Sequence, residues 1–210
     1  MWNSVKVKKR GLIDYENCYR EMRLFTNDRN KITIDEIWWL EHPSIFTLGT
    51  RGNRRHILHP KNIPIIETDR GGEVTYHGPG QLIVYFLLDL DRSRLGVRKF
   101  VCILEQAIID YLKDTGIKAQ GKENAPGVFV NEAKIASIGL RIRHKCSYHG
   151  ISLNVNMDPE PFSRINPCGY PDLKIVNTSS LGGASKINEA ALGLIPKFLK
   201  HLKLSEVLFD

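Results

Sequence analysis

The stretch from Gln81 to Leu90, Gln-Leu-Ile-Val-Tyr-Phe-Leu-Leu-Asp-Leu, constrains this chain more than any other. It is nearly continuous in apolar and β-favouring residues, so as a strand it must be covered on both faces and belongs at the centre of a sheet. A membrane-spanning helix needs about 20 such residues, and no run of that length is present. The N-terminal MWNSVKVKKRG carries charge with no apolar stretch behind it and does not read as a secretory signal. The expectation is a cytoplasmic protein.

Around this strand, hydrophobic periodicity divides the chain into helices and strands. Residues 14–29 place Tyr15, Cys18, Tyr19, Met22 and Phe25 on one helical face. Residues 97–115 carry a longer stripe, Val97, Phe100, Val101, Leu104, Ala107, Ile108, Tyr111 and Leu112, and Gly116 stops it. A third helix is expected at 188–203. Strands are expected at 35–41, 44–50, 63–68, 73–76, 127–130, 134–143 and 148–155, with Asn131-Glu132-Ala133 as a hairpin turn. No repeat, low-complexity tract or linker interrupts the chain, so residues 1–210 read as one domain. Hairpin strands with three segregated helices predict the α+β class, a sheet sandwich flanked by helices.

Cys18, Cys102, Cys146 and Cys168 form no CxxC pair, so spacing supports neither a zinc site nor a redox dithiol. Cys18 and Cys102 lie in helical patterns and read as core, while Cys146 sits in a polar turn and reads as exposed. Cys168, between Pro167 and Gly169, is either an accessible thiol or a small buried loop residue. Lys and Arg total 30 against 23 for Asp and Glu, a net charge of +7 that favours acidic partners. The densest basic run, Lys6 to Arg10, reads as a solvated face.

Four segments concentrate chemistry. The first is Arg70-Gly71-Gly72-Glu73-Val74-Thr75-Tyr76-His77-Gly78-Pro79-Gly80-Gln81. Its glycines allow close approach to a ligand that Arg70 and His77 would meet, or they serve only the geometry of a corner. It is neither a Walker loop nor a dinucleotide fingerprint. The second, Lys134-Ile135-Ala136-Ser137-Ile138-Gly139, opens with a lysine that is either tucked inside, where its pKa is movable, or an ordinary strand-edge residue. The third, Tyr148-His149-Gly150-Ile151-Ser152, pairs a histidine with a glycine that permits close backbone contact. The fourth is Asn166-Pro167-Cys168-Gly169.

Taken together and in this order, RGGEVTYHGPGQ, KIASIGLRI, YHGISLNV and INPCG resemble the lipoyl(octanoyl) transferase family, with the stretch DYENCYREMRLFTNDR extending the likeness toward the N-terminus. The resemblance implies the biotin/lipoate ligase catalytic-domain fold and transfer of an octanoyl or lipoyl group from acyl carrier protein to a lysine of a lipoyl domain. The acceptors implied are the lipoyl domains of 2-oxoacid dehydrogenase complexes and the glycine cleavage H protein. It implies Cys168 as the nucleophile and Lys134 as the residue that lowers its pKa. It implies substrate contacts from Arg70, Gly71, Gly72, Glu73, Val74, Thr75, Tyr76 and His77, from Ser137, Ile138 and Gly139, and from Gly150, Ile151 and Ser152. Ser137-Ile138 stands where the family more often has alanine and leucine, and Ile151-Ser152 where it often has leucine and alanine, which bears on chain-length preference.

A thioester donor suits a thiolate nucleophile and needs neither ATP nor a metal, so no cofactor is expected. An ATP-dependent lipoate or biotin ligase of the same fold is the alternative enzyme. A non-catalytic basic binding module is the alternative of another class, but the basic residues are scattered and no nucleic-acid recognition motif is present.

Overall fold

A computed structural model describes residues 4–207 except 124 and 172, and describes the backbone but not the side chain of Cys168. In chain order the elements are β1 (Ser4–Leu12), α1 (Tyr15–Asn27), β2 (Asp35–Glu41), β3 (Ile45–Leu48), β4 (Ile65–Glu67), β5 (Val74–His77) and β6 (Gln81–Leu87). There follow α2 (Val97–Asp114), β7 (Gln120–Gly121), β8 (Gly127–Val130), β9 (Ala133–Arg143), β10 (Cys146–Asn154), α3 (Ile187–Leu202) and β11 (Ser205–Glu206). The large sheet has the order β11-β1-β2-β6-β10-β9-β8-β7. Strand β1 runs parallel to both neighbours, and the other pairs of this sheet are antiparallel. A small sheet, β4-β3-β5, pairs β3 parallel to β4 and antiparallel to β5. The class is α+β, with a mixed sheet.

Strand β6 occupies the middle of the large sheet and is buried along its whole length. Leu82, Val84 and Phe86 pack into one core with α2 and α3, where Phe86 meets Phe198 edge-on with ring centroids 4.9 Å apart. The alternate residues Ile83, Tyr85 and Leu87 face the other way, against Cys18 and Met22 of α1. This is the two-sided burial that the composition of the strand requires. A third cluster, built on Phe46, Val74, Tyr76 and Phe162, fills the region under the small sheet.

Two expectations change and a third gains an element. The Lys6–Arg10 run keeps Lys8 and Lys9 exposed, as a solvated face would, and belongs to a nine-residue strand, β1, that was not expected. The alternation Val5-Lys6-Val7-Lys8 sends Val5 and Val7 to the core, while Lys8 and Arg10 lie over the Trp38 ring at 6.0 and 4.5 Å. Strand β11 covers only Ser4 and Val5, so the rest of β1 is a sheet edge, and lysines there discourage pairing with another chain. Cys102 is exposed, because it lies two residues beyond Phe100, about 200° around the helix from the buried stripe. Cys146 is buried, because it opens β10 and bridges to Asp89.

Candidate active site

The small sheet and the large sheet face each other across a cleft with some 520 Å³ of space, its open mouth included. One wall is the glycine-rich corner leading into β5: Arg70, Gly71, Gly72, Glu73, Val74, Thr75 and His77. The opposite wall comes from Lys134, Ser137, Ile138 and Gly139 of β9, and from His149, Gly150, Ile151 and Ser152 of β10. Tyr15 of α1 and Tyr85 of β6 close the inner end. Segments singled out separately in the sequence thus share one cavity. Tyr76 is set apart from them: its ring packs against Phe46 and Phe162, and its hydroxyl bonds Ser44 Oγ at 2.9 Å.

On the corner wall, Arg70 is 7 % exposed and serves the backbone. Its guanidinium donates to Thr47 O (2.7 Å), Thr47 Oγ1 (2.8 Å), Gly71 O (2.9 Å) and Glu73 O (2.8 Å). The planar fork matches several carbonyls at once, which a lysine would not. Gly71 N–H then donates to Leu140 O at 2.8 Å, seating the corner on β9. A Cβ on Gly139 would come within 3.2 Å of Gly71 O, so the seat depends on a residue without a side chain.

On the other wall, Lys134 is 3 % exposed, with Nζ 5.4 Å from the Phe129 ring centroid. A Cβ on Gly127 would lie 2.6 Å from Lys134 Cε and 2.5 Å from Ala136 O. The slot that holds this lysine therefore exists because position 127 is glycine, here at φ 136°. Sequence reasoning missed Gly127. In β10, His149 has φ 58°, and this twist brings it to the same side as Tyr148. Tyr148 Oη donates to Asp69 Oδ2, and His149 Nε2 lies 3.1 Å from Asp69 Oδ1. Burial holds the His149 pKa down despite the nearby carboxylate. The contact is therefore a hydrogen bond from a neutral imidazole and not an ion pair. Burial acts to raise the Asp69 pKa, but hydrogen bonds from His149 and Tyr148 outweigh it and hold the carboxyl below the usual range.

Beneath the cleft lies a cluster of neutral rings. Burial lowers His42 to about 4 and His77 to about 3. His42 Nδ1–H donates to Ile13 O at 2.7 Å and its Nε2 accepts from Tyr85 Oη at 2.8 Å. Burial also pushes the Tyr15 hydroxyl up to about 12. Tyr15 and Tyr85 were legible as core residues but not as cleft residues, since only the crossing of α1 over β6 brings them there.

Cys168 is the central residue of a 3-10 turn, Pro167–Gly169, and its side chain lies outside the described residues. The turn abuts the corner wall: a Cβ on Gly169 would stand 3.7 Å from Glu73 Cγ. The chain leaving the turn then reaches the opposite wall, where Lys134 N–H donates to Lys174 O at 2.7 Å and Val176 N–H to Lys134 O at 3.1 Å. Among the described residues, no group of three His, Cys, Asp or Glu is placed to hold a metal ion, and no helix is long and apolar enough to cross a membrane. A largely apolar cleft with a buried lysine in its lining suits an extended apolar ligand that carries one polar group.

Comparison with known proteins adds to this geometry. The family described as lipoyl protein ligase A/B catalytic domain matches residues 14–194. An octanoyltransferase of Chromobacterium violaceum is 50% identical over 200 residues, covering 95% of this chain and 97% of that protein. One of Shewanella amazonensis is 51% identical over 199 residues, covering 95% and 92%. In fold, the chain resembles a crystal structure of lipoate-protein ligase A bound with ATP, with a TM-score of 0.76 at 14% identity, covering 99% of this chain and 90% of that one. It also resembles the biotin protein ligase of Aquifex aeolicus, with a TM-score of 0.56 at 14% identity, covering 97% and 70%.

Proposed function

The chain belongs to the lipoyl protein ligase A/B catalytic-domain family, and within it to the octanoyltransferases of protein lipoylation; we propose that it takes the octanoyl group from acyl carrier protein and passes it through a thioester on Cys168 to a lipoyl-domain lysine. The observation that carries this reading is the junction of the walls. The turn bearing Cys168 abuts Glu73 of one wall, and the chain beyond it, at Lys174 and Val176, is hydrogen-bonded to the Lys134 backbone of the other.

In this mechanism the Lys134 ammonium stabilises the Cys168 thiolate, each pKa unit of lowering being worth about 1.4 kcal/mol. The thiolate attacks the donor carbonyl, the carbon–sulfur bond to the carrier breaks, and the departing carrier thiolate takes a proton from Lys134. The acceptor amine then attacks the acyl-enzyme, Cys168 leaves as thiolate, and the proton lost by the amine returns to neutral Lys134. Atoms and charges balance without ATP, because the donor thioester is already activated. The glycines at 71, 72, 139 and 150 keep side chains out of the acyl path, and each methylene buried there contributes about 0.8 kcal/mol.

The acceptors are lipoyl domains in general. The proposal extends to those of 2-oxoacid dehydrogenase complexes and the H protein, with the whole chain acting as one catalytic domain in the cytoplasm. The test is the intact mass of the protein after mixing with octanoyl-acyl carrier protein in the absence of ATP. An adduct on Cys168 that disappears when a lipoyl domain is added is expected. A reaction that starts only with ATP and a free acid overturns the reading in favour of a ligase.

A further inference from the structure

The hydrogen bonds beneath the cleft determine one proton position through residues that line no part of it. Asn154, 4 % exposed in β10, directs Nδ2 at two backbone carbonyls, Lys134 O at 3.4 Å and Val176 O at 3.3 Å. Carbonyls only accept, so this end of the amide carries the hydrogens and Oδ1 turns the other way. There it accepts from Gln81 Nε2 at 2.9 Å, and the same Nε2 donates to Tyr76 O at 3.3 Å. The orientation of Gln81 follows: its Oε1 faces His77 Nδ1 at 2.7 Å. An amide oxygen cannot donate, so Nδ1 of His77 carries the hydrogen. The ring is kept neutral by burial, which leaves Nε2 as a bare lone pair. His149 is held in the opposite sense, with its Nε2–H directed at Asp69.

We propose that Gln81 and Asn154 are positioning residues that lock His77 as a hydrogen-bond acceptor on the cleft wall, its Nε2 set to receive an N–H of the incoming lysine amine. The inference rests on the acyl-transfer reading of the cleft. The same two amides tie His77 to the backbone carbonyl of Lys134, so the lock also links the two walls. Gln81 is 0 % exposed and contributes nothing to the cleft surface, so its effect on chemistry runs through His77.

Nitrogen-15 NMR of the full-length, histidine-labelled protein near neutral pH tests the lock directly. His77 is expected with Nδ1 protonated and Nε2 not. In Gln81→Met the Nε2–H tautomer should appear. Octanoyl transfer from preformed acyl-enzyme should then slow by about tenfold in single turnover, while acyl-enzyme formation stays near wild type. Gln81→Glu loses the donor to Tyr76 O and Asn154 Oδ1 and sets a carboxylate against Nδ1, so it should charge the ring, remove the Nε2 lone pair and slow the same step. Wild-type His77 with Nε2 protonated overturns the proposal without any variant. So does a Gln81→Met protein that changes tautomer but transfers at the wild-type rate. Failure of wild type to form any acyl-enzyme counts against the acyl-transfer reading alone, because the NMR spectrum decides the lock by itself.

Discussion

Each wall of the cleft buries a basic side chain, and the two are held by different partners. On the corner wall the Arg70 guanidinium holds Thr47, Gly71 and Glu73 through three carbonyls and a hydroxyl, and so defines the course of the glycine-rich loop. On the sheet wall the Lys134 ammonium sits in a slot cleared by Gly127 and floored by Phe129, beside the chain that leads away from Cys168. Arginine is always charged and spreads its donors over a plane, whereas lysine is a compact charge that can lose a proton. The comparison teaches that the partners of a buried basic residue, more than its charge, decide whether it is tied up as scaffold or left to the role proposed for Lys134.

The sharpest test of that contrast removes the nucleophile that Lys134 is proposed to serve. Cys168→Ala and Cys168→Ser should lose transfer by about a thousandfold or more while melting like wild type. Wild-type turnover in Cys168→Ala would refute covalent catalysis. Lys134→Arg should separate the two roles of the lysine. Iodoacetamide alkylation of Cys168 stays fast because the charge remains, but single-turnover transfer to the acceptor falls by about a hundredfold because arginine does not give up its proton. Gly127→Ala should approach the same loss by crowding Lys134, with alkylation of Cys168 slowed as well.

On the other wall, Arg70→Lys should act chiefly on stability. Losing the fork strands buried carbonyls, each costing about 1–3 kcal/mol, so a loss of about 3 kcal/mol in urea unfolding is expected. If Arg70→Lys keeps its stability and loses only chemistry, the division of labour between the walls is wrong.

The neutral rings beneath the cleft give a pH dependence. Unfolded histidine takes a proton near 6.5, folded His42 near about 4 and folded His77 near about 3. Between these values the unfolded state binds more protons, so stability falls as pH falls, by about 2 kcal/mol per ring from pH 6.5 to 5. Unfolding free energies measured at those two pH values check it, and His42→Gln should flatten the slope. The smallest effect concerns the +7 charge: carrier-dependent kcat/KM should drop a few-fold (about threefold) as salt rises past physiological strength, where the Debye length is about 8 Å. A rate independent of salt removes electrostatic steering and leaves both walls as they are.

Much of the fold was legible because its signals are local. The continuous apolar run in Gln81–Leu87 is resolved into two packed faces, and the stripe at 97–115 becomes α2 nearly to the residue. Strand β1 was obscured because the lysines of Lys6–Arg10 were weighed as charge, although Val5 and Val7 carried the period of a strand. Cys146 was obscured because burial of a strand's first residue depends on its neighbour, here Asp89, and not on the polar residues around it in sequence.

The sequence by itself determined where the three helices and most of the strands lie, and the family that its distinctive segments resemble. These follow from periodicity, glycine placement and residue type, which a linear chain displays. Only the tertiary structure decided what each polar side chain does. Arg70 became scaffold because Thr47 lies opposite it, 23 residues away, and His149 met Asp69 across 80 residues. His77 took one tautomer because Gln81 and Asn154 connect it to Lys134. Burial sets the protonation of such groups, and the acceptors that happen to face them set their orientation. Both depend on contacts between residues far apart in the chain, which no local pattern encodes.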